Sequence, residues 1–183
     1  GIVSHDLQYR YRPTTRALDV VVSGYLSSVG IHGTLAGRIS AEQIRHAKAI
    51  MAELHIDDLA DTPLSKMSTG QQRRCLLGRA LVHDPDTLIL DEPTAGLDLA
   101  ASFDYLARIR HLASGGKNIV LVTHMLNEIP PEMDRIILLR EGQIIADGCK
   151  KDVLTEDNLR RTYGTDVRVT VVDGYYLAYP PKY

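Results

Sequence analysis

The first long stretch of the chain, from Thr14 to Val82, carries its apolar residues mainly at helical spacing, and strand-like alternation is rare in it. Thr14 or Thr15 is suited to cap a first helix, which we expect to run to about Ser28. Glycines then cluster in residues 30–37, where the helical pattern should be interrupted. The sequence therefore predicts a helical region that opens with one helix and a glycine-rich break.

Two further helices are predicted in the same region. Ser40 and Gln43 have the spacing of a capping box, in which two side chains close the start of a helix. The apolar face of this helix should consist of Ile44, Ala47, Met51 and Leu54. The next helix should begin near Gly70 and end before Asp84-Pro85, because the residue that precedes a proline is disfavoured in helical geometry.

The pattern then changes to strand, helix and strand. Two short apolar runs, Thr87 to Leu90 and Ile119 to Val122, are predicted to be buried strands. Four apolar residues between them keep helical spacing: Leu99, Phe103, Leu106 and Ile109. That helix should end at Ser114-Gly115-Gly116. Strands joined in this βαβ order are almost always parallel, so Asp91-Glu92 and Thr123-His124 should emerge at one carboxyl edge, where open α/β sheets bind ligands.

The last part of the chain is predicted to contain two β-hairpins. Glu141-Gly142 and Asp173-Gly174 are turn dipeptides, and each is flanked by two strand-like runs. The four runs are residues 135–139, 143–146, 167–172 and 175–179. A short helix from Thr155 to Tyr163 should lie between the hairpins. We therefore expect one domain over residues 1–183 with three parts, which are residues 14–82, 83–150 and 151–183.

Composition narrows the class of protein. The 183 residues are 44% hydrophobic and 24% charged with a net charge of -2, which is typical of a globular domain and offers no basic excess for nucleic acid. No apolar run reaches the ~18 residues of a membrane span, and the N-terminus lacks a signal-peptide pattern. Cys75 and Cys149 form no close-spaced pair, which favours a reduced, cytosolic protein over a redox or metal pair.

Two adjacent carboxylates, Asp91 and Glu92, follow the first predicted strand. Mg²⁺ prefers oxygen ligands, and a water that attacks a phosphoryl group needs a carboxylate to orient it, so the two acids could divide these tasks. An isolated pair of this kind is also compatible with a solvated acidic turn. Here the pair lies within the longer run T-L-I-L-D-E-P-T-A-G-L-D from Thr87 to Asp98.

A second candidate site is the start of the third helix, at Ser68-Thr69-Gly70-Gln71. The free N–H groups and positive dipole end of a helix N-terminus suit an anion such as a γ-phosphate. The glycine would permit close approach of that anion. A plain N-cap is the alternative interpretation, because serine and threonine often precede helices for that reason alone.

His124 is the third candidate. At the sheet edge near Glu92 it would bring a proton-bearing group to the same site, although such a histidine can also be buried or cap a helix. Gly115-Gly116-Lys117 is not a phosphate loop, because it precedes a strand and Asn118 stands where such a loop carries a hydroxyl. The 183 residues contain no Gly-x-x-x-x-Gly-Lys-Ser/Thr segment.

Three segments of the chain resemble motifs of ABC ATPases, and they occur in the order in which those enzymes carry them. M-S-T-G-Q from Met67 resembles the signature motif L-S-G-G-Q, with Met67 and Thr69 as departures, and the run from Thr87 to Asp98 resembles the joined Walker B and D-loop. His124 resembles the switch histidine. The resemblance implies an α/β fold of the P-loop NTPase type, with a parallel sheet and a helical subdomain.

The resemblance also implies roles for the candidate residues. Asp91 would hold Mg²⁺ through water, Glu92 would polarise the attacking water, His124 would contact the γ-phosphate, and Asp98 would lie at a dimer interface. The signature residues would bind the ATP held by the opposite subunit: Ser68, Thr69, Gly70 and Gln71. His5 stands where the family has its Q-loop glutamine.

The function implied is that of the ATP-binding subunit of an ABC transporter, which uses ATP and Mg²⁺. Such a subunit forms a dimer, hydrolyses ATP and drives transport by a membrane-spanning partner at the cytoplasmic face of the cell membrane. Tyr9, Tyr11 and Arg12 are candidate contacts with that partner. The segment from Leu154 to Gly164 and its following hairpin are similar to the tails of ATPases that serve metal-chelate importers.

Gly1-Ile2-Val3-Ser4 has the pattern of a strand tail, so we expect the domain to be N-terminally incomplete. Without a glycine-rich loop and its lysine, the 183-residue chain alone should neither bind nor hydrolyse ATP. Two alternatives remain open, namely a soluble ABC-type ATPase without a membrane partner and an inert remnant or interaction module that binds no ATP.

Overall fold

The computed structural model describes residues 1–30 and 37–182. The chain divides into two compact units, Gly1–Val122 and Thr123–Tyr183. The division falls directly after the second strand of the βαβ unit, and therefore inside the second of the three parts expected from the sequence.

The first unit contains a three-stranded sheet. Its strands are β1 (Ile2–Ser4), β2 (Thr87–Asp91) and β3 (Asn118–Val122), in the order β1-β2-β3. Both pairings are parallel, which confirms the predicted βαβ geometry and the strand expected at the start of the chain. Ser4, Asp91 and Val122 lie opposite one another. The carboxyl ends of all three strands therefore form one edge.

The two faces of this sheet differ in exposure. Leu88 and Leu90 are buried, whereas Ile2, Ile89 and Val120 form one row across the strands and are 59%, 37% and 48% exposed. The prediction that these strands are buried is thus correct for one face of the sheet only. Successive side chains of a strand point to opposite sides, and the first unit covers only one side.

The described residues of the first unit form four α-helices: α1 (Ala17–Val22), α2 (Ala41–Glu53), α3 (Thr69–Leu81) and α4 (Leu99–Ser114). The predicted first helix ends early, since residues Ser23–Leu26 continue it as a 3-10 turn. The expected break after it is only partly visible, because residues 31–36 lie outside the described part of the chain. The third helix has the predicted bounds at both ends.

The predicted cap of α1 at Thr14 or Thr15 is wrong. The helix begins after Arg16, whose side chain does not cap it. The N–H groups of Ala17 and Leu18 donate instead to the carbonyl oxygens of Thr62 and Ala60, both at 3.0 Å. A distant loop therefore supplies the acceptors that a capping side chain would otherwise provide.

The capping box of α2 is confirmed, but its predicted apolar face is only partly correct. Ala47, Met51 and Leu54 are buried, whereas Ile44 is 37% exposed. The predicted face of α4 is also partly wrong, because Leu99 and Phe103 are 68% and 59% exposed. In both helices the N-terminal part extends beyond the core. The residues of α4 that do enter the core are Tyr105, Leu106 and Ile109.

The second unit consists of two hairpins and two helices. The strands are β4 (Arg135–Arg140), β5 (Gln143–Cys149), β6 (Arg168–Val172) and β7 (Tyr175–Tyr179), and the helices are α5 (Lys150–Val153) and α6 (Glu156–Tyr163). Both predicted hairpins are confirmed, and both residues of each turn have positive φ. The short helix predicted from Thr155 to Tyr163 is confirmed as α6, and Thr155 caps it. Leu126, Leu138, Val153 and Leu159 are buried in the core of this unit. Among the described residues, no helix combines the length and apolarity needed to cross a membrane.

Candidate functional site

Asp91 and Glu92 end the central strand of the sheet. Asp91 is the last residue of β2 and is exposed, and Glu92 is half-buried. The N–H of Glu92 donates to the carbonyl oxygen of Val122 at 2.9 Å, so the ladder to β3 continues one residue past the strand. Glu92 has φ +48°, a left-handed conformation that is uncommon outside glycine. The hydrogen bond to β3 and the turn that follows therefore fix the backbone position from which the side chain of Glu92 extends.

The turn after Glu92 leads directly into α4. Its backbone is closed by hydrogen bonds from Ala95 N–H to Glu92 O at 3.2 Å and from Leu97 N–H to Thr94 O at 3.0 Å. Asp98 then caps α4, because its Oδ1 accepts from Ala101 N–H at 2.8 Å. The structure thus gives Asp98 a helix-capping role, and its place at a dimer interface stays a prediction.

The signature segment begins α3 with a complete capping box. Ser68 Oγ accepts from Gln71 N–H at 3.3 Å, and Gln71 Oε1 accepts from Ser68 N–H at 2.8 Å. The N-cap interpretation of this motif is therefore confirmed. The helix itself offers no acceptor for the N–H groups of Thr69 and Gly70 in its first turn. Because Ser68 and Thr69 are exposed, an anion could approach these N–H groups.

Gly70 also has a packing role. A side chain here would place its Cβ 3.2 Å from Cβ of Ala101, closer than most real Cβ contacts. The starts of α3 and α4 therefore lie against each other. The signature segment and the turn that follows Glu92 are parts of one packed region of the first unit.

Arg73 is a residue of this region that the sequence analysis missed. It is fully buried, and its Nη2 donates to the carbonyl oxygen of Ala95 at 3.0 Å. Burial lowers the pKa of its guanidinium, but an arginine starts so high that it stays charged. The helical spacing of the sequence could have shown that Arg73 faces the core. It shares one face of the helix with the apolar residues Leu76, Leu77 and Ala80.

The two candidate histidines, His5 and His124, belong to different units of the chain. His5 follows β1 directly, at the carboxyl edge, in the 3-10 helix His5–Arg10. Its side chain lies outside the described residues, so its Q-loop role stays a prediction. His124 belongs to the second unit, where the Tyr163 hydroxyl donates to its carbonyl oxygen at 3.4 Å. Its role beside Glu92 also stays a prediction.

The predicted partner contacts divide by exposure. Tyr9 is 70% exposed and Arg12 is exposed. Tyr11 is buried, and its hydroxyl lies 2.8 Å from Ser23 Oγ in a hydrogen bond. The prediction that Tyr11 contacts a partner is therefore wrong, because its ring and hydroxyl are both used inside the first unit.

Among the described residues, the side chains suited to Mg²⁺ are too few to hold the ion by themselves, so substrate phosphates would have to supply further ligands. They contain no group of three or more histidine, cysteine or acidic side chains that could hold a metal ion. Asp91 and Glu92 nevertheless bring two carboxylates to a strand end, where Asp91 is exposed and Glu92 is half-buried. Such a pair suits Mg²⁺, which keeps several waters and is commonly bound by one or two carboxylates together with substrate phosphates.

Comparison with known proteins assigns the family. A family model described as "ABC transporter" matches residues 2–95, just over half of the chain. This chain belongs to the ABC transporter family. The match takes in β1, the signature segment and the Asp91-Glu92 pair, and it ends at Ala95. The predicted resemblance of the chain to ABC ATPases is thereby confirmed.

The relatives that this chain matches are named as ATP-binding proteins. The chain is 34% identical over 171 residues to the ABC transporter ATP-binding protein YlmA of Bacillus subtilis (strain 168), and the alignment covers 92% of this chain and 63% of YlmA. It is 37% identical over 127 residues to the Nod factor export ATP-binding protein I of Burkholderia orbicola (strain AU 1054), with 66% and 42% covered. The chain thus spans less than two thirds of the length of these relatives.

Solved structures confirm the fold class. A chain from an ABC transporter classed as metal-chelate type, in an inward-facing conformation, superposes with a TM-score of 0.80 at 23% identity. The superposition covers 98% of this ABC chain and 70% of the other. It therefore takes in the C-terminal helix and hairpin as well as the sheet. The predicted α/β fold of the P-loop NTPase type is confirmed.

Proposed function

We propose that this chain carries the catalytic and signature segments of an ATP-hydrolysing subunit that drives transport by a membrane-spanning partner. One observation carries the proposal: two adjacent carboxylates lie at the end of a central parallel strand, and the turn after them is hydrogen-bonded to Arg73 of the signature helix. The family assignment supports ATP as the ligand. It does not extend to a particular substrate, since one relative is named for export of Nod factors and one structural neighbour for metal chelates.

The roles of the residues follow from their positions. Bound Mg²⁺ would neutralise charge that develops on the phosphates. Asp91, exposed at the end of β2, would hold it through water. Glu92 would orient the water that attacks the γ-phosphate, and the hydrogen bond to β3 sets where its side chain starts. His124 would contact the γ-phosphate, and His5 would stand in place of the Q-loop glutamine.

A second subunit is part of the proposal. The start of α3, with the N–H groups of Thr69 and Gly70, would face the nucleotide bound by the opposite subunit. A helix N-terminus contributes on the order of 1 kcal/mol to anion binding, whereas micromolar affinity requires ~8 kcal/mol. The 183-residue chain alone should therefore not bind Mg-ATP measurably. Isothermal titration of Mg-ATP tests this, and micromolar binding would contradict it.

The decisive experiment replaces Glu92 in the full-length protein. Glu92→Gln should retain Mg-ATP binding and lose hydrolysis by about two orders of magnitude or more, because an amide cannot polarise the water. Glu141→Gln is a matched control, since Glu141 has nearly the same left-handed backbone at φ +51° but lies in a hairpin turn. Near-normal hydrolysis in Glu92→Gln would refute the assignment. The alternative of an inert module predicts no hydrolysis in the parent protein.

A further inference from the structure

Arg73 lies on the buried face of α3 with no exposed surface. Leu76, Leu77 and Ala80 on the same face are also buried. Complete burial of an arginine is rare, because the charge loses its water and needs polar groups to replace it. An apolar residue of similar volume would pack this face at least as well, since buried charges often contribute no net stability. Stability alone therefore does not account for an arginine at this position.

The contact made by Arg73 points to the catalytic turn. Its Nη2 donates to Ala95 O at 3.0 Å, and Ala95 N–H donates to Glu92 O at 3.2 Å. The same residue, Ala95, is thus bonded on one side to Arg73 and on the other to Glu92. A change in the position of Arg73 would displace the turn that holds the backbone of Glu92.

The other end of this connection is the start of α3. Ser68, the N-cap residue, precedes Arg73 by about one and a half helical turns. The capping box and the packing of Gly70 against Ala101 fix this part of the helix. Because an α-helix moves nearly as a rigid body, a shift at its N-terminus is passed to Arg73.

We propose that Arg73 is a positioning residue that couples the anion site at the start of α3 to the orientation of Glu92, through the carbonyl group of Ala95. The proposal rests on the proposed function, in which α3 faces the nucleotide of the opposite subunit and Glu92 faces the nucleotide of its own. Arg73 then connects the two nucleotide sites of a dimer through a single subunit. Binding at one site would align the carboxylate that acts at the other.

Arg79 provides a matched control on the same helix. Its Nη2 also donates to a backbone carbonyl, that of Ser28, at 3.1 Å. This contact leads away from the turn after Glu92. Arg73→Met and Arg79→Met therefore each remove one arginine-to-carbonyl bond from α3, but only the first breaks the connection to Ala95.

The experiment measures ATP hydrolysis by the full-length protein against ATP concentration, together with the Tm of each variant. Arg73→Met should lower kcat about tenfold to a hundredfold, as expected when a catalytic group is misplaced, and leave KM within about twofold. We expect a Hill coefficient for ATP above 1 in the parent protein. In Arg73→Met this coefficient should fall to 1. Arg79→Met should keep the parent's kcat and Hill coefficient. If Arg73→Met does not fold, Arg73→Lys takes its place, because lysine keeps the charge but lacks the planar fork.

Three results would overturn the coupling. One is a parent protein that hydrolyses ATP without cooperativity, and another is a Hill coefficient unchanged in the Arg73 variant. The third is an equal loss of kcat in both arginine variants, which would indicate a structural role only. A parent without ATPase activity, or a fully active Glu92→Gln variant, would instead refute the proposed function and this proposal with it.

Discussion

The signature segment can be tested by removing one hydroxyl group from each of two similar helix starts. Ser68 and Ser40 both begin 13-residue helices with a complete capping box. In the box of Ser68 the two hydrogen bonds are 3.3 and 2.8 Å long, and in that of Ser40 they are 3.1 and 2.9 Å long. Ser68→Ala and Ser40→Ala therefore delete nearly the same interaction.

The effect on stability should be the same for both variants. Replacing a capping serine by alanine lowers the free energy of unfolding by about 1 kcal/mol. For a chain of about 150–250 residues, that loss lowers Tm by about 2–4 °C. Thermal unfolding of the full-length protein, followed by circular dichroism, measures both shifts. Agreement between them would show that the two caps are energetically equivalent.

The effect on function should differ. In the proposed dimer, Ser68 Oγ and the N–H groups beside it face a γ-phosphate, whereas Ser40 begins a helix with no proposed nucleotide contact. Loss of one hydrogen bond to a charged group, about 1.5–3 kcal/mol, would lower kcat/KM for ATP roughly tenfold to a hundredfold in Ser68→Ala. Ser40→Ala should retain the parent value. Equal kcat/KM values in the two variants would refute the anion role and leave only the helix cap.

Three further predictions concern other residues of the chain. His124→Ala in the full-length protein should slow hydrolysis and leave Mg-ATP affinity much less affected, and an equal loss of affinity would indicate a structural histidine. Burial raises the pKa of Cys75 to about 12 and keeps it a thiol below that pH, whereas Cys149 is exposed, so a thiol reagent at pH 8 should label one cysteine in the folded chain and two after denaturation. Tyr9→Cys should cross-link to a membrane-spanning partner and the buried Tyr11→Cys should not, and a cross-link from neither Tyr9 nor Arg12 would favour an ATPase without such a partner.

Most of the secondary structure could be predicted because its signals are local. The capping box of Ser40 and Gln43 and the turns at Glu141-Gly142 and Asp173-Gly174 need only residues a few positions apart. The parallel arrangement of β2 and β3 also followed, since a strand-helix-strand unit allows almost no other. These features depend little on the rest of the fold.

The predictions that were wrong concern features that depend on contacts between residues far apart in the sequence. The start of α1 was misplaced because the carbonyl oxygens of Thr62 and Ala60 replace a capping side chain. Tyr11 was expected at the surface because the sequence does not show that its hydroxyl meets Ser23 inside the core. The exposed row through Ile89 was missed for a related reason. An apolar run indicates that a strand suits burial, but not which of its faces the unit covers.

The candidate site contains residues that the sequence predicted and one that it did not. Asp91 and Glu92 were found because they follow a strand within a specific motif, and the structure places them at the expected sheet edge. Arg73 was passed over because it stands beside another arginine, Arg74, which is half-buried and pairs with Asp104 at 3.5 Å. Only helical spacing distinguishes the two arginines. The fold turns one towards the core and the other towards an ion pair.

The signature segment also shows that a structural and a functional interpretation of the same residues need not compete. The sequence left open whether Ser68 caps a helix or helps to bind an anion. The structure confirms the cap, and that cap uses the N–H groups of Ser68 and Gln71. Those of Thr69 and Gly70 receive no acceptor from the helix, so the same box that stabilises α3 also aims two donors outward. A well-formed cap thus favours anion binding, because it fixes these donors before the anion arrives.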